Sequence, residues 1–139
     1  MIQRIQTLWL ALTSIAALLT LKYSVFSGNI TDGAKVVTWK ELTAVNNFFI
    51  LFLSVAITVI AAIAIFLYKN RKLQLRLTIL GLVMSLITLA LYFNETKKFT
   101  QGNYDLTALV ALSIPVFLVL SIRGIYKDEK LIQSTDRLR

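Results

Sequence analysis

Apolar and polar residues are distributed along this chain in long blocks. Four blocks carry no charge, Ile5–Leu21, Leu42–Tyr68, Leu77–Asn94 and Leu106–Ile122, and the stretches between and flanking them hold all the charge. The second block is 27 residues long. At about 1.5 Å of rise per residue it would reach roughly 40 Å as a helix, more than the ~30 Å hydrocarbon core of a bilayer. The pattern predicts an all-α membrane protein, an antiparallel four-transmembrane-helix bundle. We expect spans at about 5–22, 44–68, 77–94 and 106–123, within a single integral membrane domain over residues 1–139 and with a cytoplasmic tail at 124–139.

The first block follows a single cation, Arg4, as a signal peptide would. It closes Leu18-Leu19-Thr20-Leu21-Lys22 without a small-x-small cleavage site, so we expect a retained span. Residues 22–41 form the longest polar connection. The turn dipeptides Gly28-Asn29 and Asp32-Gly33 separate two short β-type runs, residues 23–27 and 34–39, which suggests a small extracytoplasmic β-hairpin. Residues 69–76 read as a cationic loop. Gln101-Gly102-Asn103 reads as a turn, and Asp105 as the N-cap of the fourth helix. Pro115 is expected to bend that helix.

Charge fixes an expected orientation. With the N-terminus inside, Arg4, residues 69–76 and residues 123–139 hold ten Lys and Arg, against five in the outer connections. The positive-inside rule then places both termini in the cytoplasm. The net charge of +8 is therefore read as topological, and nothing points directly to nucleic acid. Hydrophobic residues make up 57% of the chain and charged residues 16%, against about 25% charged in soluble proteins.

The same inventory narrows the chemistry. There is no Cys and no His, and the four uncharged blocks that form the spans contain no Asp, Glu, Lys or Arg. Proton relays and ion-coupled transport usually need such a group at membrane depth. A catalytic site would have to come from Asp32, Glu41, Glu95 and Asp105, which read more simply as caps or solvated loop charges. No enzyme activity, cofactor or metal is expected.

Small and hydroxyl residues do recur at helical spacing. Thr78, Gly81, Ser85 and Thr88, continued by Tyr92, share one face of the third helix. Thr13, Ala16, Ala17 and Thr20 share one in the first, and Ser54, Thr58, Ala61 and Ala62 one in the second. These are faces for close helix packing; a hydroxyl-lined conduit is the alternative. On the inner side, Lys69, Arg71, Lys72 and Arg76 suit anionic headgroups. In the tail, Leu131, Ile132, Arg137, Leu138 and Arg139 set apolar anchors among charges, a pattern suited to docking on a partner or on the protein's own basic segment.

The opening Met-Ile-Gln-Arg-Ile-Gln-Thr, the four spans and the ending Lys127-Asp-Glu-Lys-Leu-Ile-Gln-Ser-Thr-Asp-Arg-Leu-Arg139 resemble a family of small four-helix membrane proteins of Bacteroidota known as a domain of unknown function. The resemblance spans the whole chain. It implies a bacterial inner membrane, and it makes the N-x-S/T triplets at Asn29 and Asn94 irrelevant. It brings no activity, substrate or site residue. Two functional expectations follow from the residues. One is a non-enzymatic accessory or scaffold component of a larger membrane assembly, in contact with lipid and with a membrane-protein partner or a second copy. The other is a small transporter or channel without intramembrane charge.

Overall fold

The computed structural model describes residues 3–31 and 36–136. The chain runs α1 (Gln3–Lys22), β1 (Phe26–Thr31), β2 (Val37–Leu42), α2 (Phe48–Phe66), α3 (Arg71–Thr96), β3 (Gln101–Tyr104) and α4 (Leu106–Asp136). The four helices are long and apolar enough to cross a membrane. They pack in a ring, with α1 against α2 and α4, and α3 against α2 and α4. The strands form an antiparallel sheet in the order β2-β1-β3 over one end of the bundle, the sheet end. The other, tail end carries the α2–α3 turn and the last turns of α4.

The bundle is inverted relative to a water-soluble one. Phe48, Phe66 and Leu106 are 73%, 80% and 81% exposed, whereas Thr13, Thr78 and Ser121 are fully buried. Inward positions are small or hydroxylated, so the helices approach closely. Between them, Leu10, Ile57, Ile114 and Leu118 fill one apolar cluster in the body of the bundle. Phe26, Leu42, Ile50 and Tyr92 form a second beneath the sheet.

Some boundaries differ from the sequence expectation. Residues 69–76 are not a loop: a 3-10 turn at Leu67–Lys69 leads directly into α3, which begins at Arg71. The tight turn is held by Gln74, whose Nε2 donates to the Ala64 carbonyl at 2.9 Å and satisfies an acceptor near the end of α2. Next, the fourth helix, whose span is expected to end near residue 123 while the helix formers Lys127–Gln133 favour its continuation, runs through Pro115 and on to Asp136.

The expected hairpin forms, as β1 paired with β2, but its strands are displaced along the chain and a third strand joins them. Gly28-Asn29 is not a turn but lies within β1, and Gln101-Gly102-Asn103 is strand β3. Gly28 sits opposite Gly102 in register. A Cβ on Gly28 would lie 2.3 Å from the Gln101 carbonyl oxygen and 2.6 Å from Gly102 Cα. These glycines serve a close approach of two backbones, where no side chain fits. Asp32-Gly33, the other expected turn dipeptide, lies outside the described residues.

Candidate functional site

The hydroxyl face of α3 points into the bundle. Thr78, Ser85 and Thr88 are buried at 6% exposure or less. Gly81 lies with them, and a Cβ there would make ordinary contact with Ile60 of α2 at 3.5 Å and Leu118 of α4 at 3.9 Å. The hydroxyls bond within their own helix: Thr78 to the Gln74 carbonyl (2.8 Å), Ser85 to Leu82 (2.7 Å) and Thr88 to Met84 (2.9 Å). Thr13 and Thr20 of α1 and Thr58 of α2 do the same. Where Thr20, Ser54, Ser85, Thr88 and Tyr92 converge, the core keeps a cavity of only about 10 Å³. The buried Tyr92 hydroxyl faces this level beside the Ser54 and Thr20 side chains, and the buried Ser121 hydroxyl, nearer the tail end, has no hydrogen-bond partner among the described residues.

At the tail end, the α4 extension is part of the bundle. Asp128 is buried and accepts a hydrogen bond from Gln6 Nε2 of α1. Gly124 lies one turn away, and a Cβ on it would sit 2.8 Å from Gln6 Cγ. Lys69, Lys72 and Arg76 are exposed and Arg71 is half-buried. Three of these cations thus occupy the first turns of α3, and no acid occupies its first turn. The helix dipole disfavours cations there, so helix stability does not account for their placement. Leu131 and Ile132 are about half exposed, at 49% and 45%. Arg137, Leu138 and Arg139 lie outside the described residues.

The sheet end holds Glu41, Glu95 and Asp105. The two oxygens of Asp105 accept from Ser24 (2.5 Å) and Ser27 (2.8 Å), and its backbone carbonyl accepts from the Ala108 N–H. The described bonds of this side chain thus tie α4 to the first connection. Glu95 accepts from Asn47 Nδ2 at 3.1 Å and pairs with Lys98 at 2.8 Å. Asn47 also caps α2, accepting from the Phe49 N–H. Among the described residues no three His, Cys, Asp or Glu cluster as a metal site would require.

A groove of about 790 Å³ lies between the sheet-end halves of α3 and α4. Leu89, Ala90 and Phe93 form one wall, Leu109 and Leu112 the other, with Tyr104 and Asp105 at the top. Ala90, Phe93, Leu109 and Leu112 are exposed, so the groove opens sideways from the bundle. The Lys97 ammonium lies 5.3 Å from the centre of the Phe93 ring.

Gln6, Gln74 and Asp128 were not among the sequence-derived candidates. Spacing held the signal for all three, and Gln74 lies one helical step before Thr78 on the buried face of α3. Gln6 extends the buried series Leu10, Thr13, Ala17 and Thr20, and Asp128 extends Ala111, Ile114, Leu118, Ser121 and Ile125. The Ser24–Asp105 and Ser27–Asp105 contacts had none, because they join segments far apart in the chain.

A family model described as a domain of unknown function (DUF4293) matches residues 2–138. No curated protein and no solved structure matches the chain.

Proposed function

The chain belongs to that family, and from its geometry we propose a multi-pass protein of the bacterial inner membrane that acts by binding, as a non-enzymatic accessory or scaffold component of a larger membrane assembly. The membrane reading is supported by the outward apolar side chains, a surface that would be far larger than the patches soluble monomers expose. The observation that carries the binding reading is the closed core. Its hydroxyls are mostly spent on their own helices, and a void of about 10 Å³ holds at most one water. A transporter or channel needs a path that this packing does not offer. What remains available is surface: the tail-end cations with Leu131 and Ile132, the sheet, and the groove.

Both termini lie in the cytoplasm in this reading, with Lys69, Arg71, Lys72 and Arg76 near anionic headgroups. The protein lacks cysteine, so single substitutions report orientation cleanly. In spheroplasts an impermeant maleimide is expected to label Lys40→Cys on β2 and to leave Lys72→Cys unlabelled; the reverse pattern refutes the orientation. Purification in mild detergent should recover a stoichiometric membrane-protein partner, and liposomes containing the protein should show no added solute flux. Added flux with no partner would favour the transporter.

A further inference from the structure

We propose that the groove between α3 and α4 holds one acyl chain of an anionic phospholipid, with its phosphate at Lys97. The inference rests on the membrane reading above. The groove's volume of about 790 Å³ falls in the range of roughly 300–1,000 Å³ typical of small-ligand pockets. Its walls are aliphatic and aromatic, and it opens on the side that this reading places in hydrocarbon, where acyl chains are the solvent.

Charge decides which lipid. Leu89, Phe93 and Lys97 recur at four-residue steps, so one face of α3 leads from the groove wall to a cation. The Lys97 ammonium lies over the Phe93 ring and is in no ion pair among the described residues. Its neighbour Lys98 is already committed to Glu95. The Asp105 carboxylate at the top of the groove keeps its charge, and its oxygens are held by the Ser24 and Ser27 hydroxyls of the first connection rather than by a cation among the described residues. A tail in the groove therefore brings its headgroup to the Lys97 end of this helix face, where an ammonium in no ion pair favours a net-negative lipid over a zwitterionic one.

The test uses the delipidated full chain in nonionic detergent, with thermal unfolding followed as dioleoyl phosphatidylglycerol or dioleoyl phosphatidylcholine is added. Phosphatidylglycerol is expected to bind about five-fold more tightly, the effect of one basic residue near an anionic headgroup. Lys97→Gln should abolish that preference and Lys97→Arg should keep it. Ala90→Phe places a ring in the groove from an exposed position, so it should weaken both lipids. Lys72→Gln, at the tail end, should change nothing. Equal affinities in the wild-type protein overturn the proposal. So does a preference that survives Lys97→Gln, which would place the lipid elsewhere. Efficient disulfide crosslinking of Leu109→Cys in native membranes also overturns it, because a second copy would then cover the groove. Failure of the chain to fractionate with membranes is a separate result, and it would remove the membrane reading itself.

Discussion

Gly124→Ala is expected to change sign with its surroundings. In the wild-type background a methyl group at 124 would lie 2.8 Å from Gln6 Cγ, so the Gln6 stem must shift. Gln6 is buried, and its amide donates to the buried Asp128 carboxylate. A hydrogen bond to a charged group contributes about 1.5–3 kcal/mol. Replacing a helical glycine by alanine gains about 0.8–1 kcal/mol. The net expectation is a loss of roughly 0.5–2 kcal/mol. In a Gln6→Ala background neither the clash nor the bond exists, and the same substitution should stabilise by about 1 kcal/mol. The four proteins form a double-mutant cycle, measured by reversible unfolding in mixed micelles of nonionic detergent and dodecyl sulfate. If Gly124→Ala has the same effect in both backgrounds, Gln6 and Gly124 are uncoupled and the tail-end packing described here is wrong.

Gly81 should tolerate alanine, because a Cβ there meets Ile60 and Leu118 at ordinary distances. Gly81→Ala is expected to raise stability by about 0.5–1 kcal/mol and Gly81→Leu to lower it by about 1–3 kcal/mol through overpacking; equal unfolding midpoints would place this face against lipid. Tyr92→Phe removes a buried hydroxyl that lies beside the Ser54 and Thr20 side chains, so it should lower stability by about 0.5–1.5 kcal/mol, and an unchanged or higher unfolding midpoint would show that the hydroxyl completes no bond there. Deleting residues 128–139 takes away the acceptor for Gln6 and should lower stability whether or not the tail binds anything. The informative variant is Leu131→Ser with Ile132→Ser, expected to keep the unfolding midpoint and to release a co-purifying partner; retention of every partner argues against docking through these residues.

Helix number was legible because uncharged length is a crude signal that neighbouring segments cannot disguise. Inward faces were legible for α1, α2 and α3 because small and hydroxyl residues recur at helical spacing. Charge proved a poor guide to helix ends. Arg71, Lys72 and Arg76 broke the apolar block and suggested a loop, yet nothing in those side chains prevents a helix, and Gln74 supplies the bond that closes the turn before them. The helix formers Lys127 to Gln133 did favour a longer fourth helix, and Ile125 and Asp128 continue its buried face. The sheet misled for another reason. Gly28 and Gly102 look like turn residues in one dimension, and their purpose shows only when the two strands are set side by side. The groove left no mark in the sequence, since its walls come from two helices whose outward residues resemble any lipid-facing surface.

That strand pairing also orders the assembly of the molecule. The central strand β1 pairs with β2, its neighbour in sequence, and with β3, which lies beyond both α2 and α3. The first pairing needs only a local connection. The second needs the ends of α3 and α4 to be already in place, because closure over so long an intervening chain is favourable only once the helices have fixed its ends. The β1–β3 ladder is therefore the late event of folding, and the amide protons of β3 act as a clock for it. Their protection from exchange should appear after that of the helices, and local opening of α3 from α4 should expose them before any other strand.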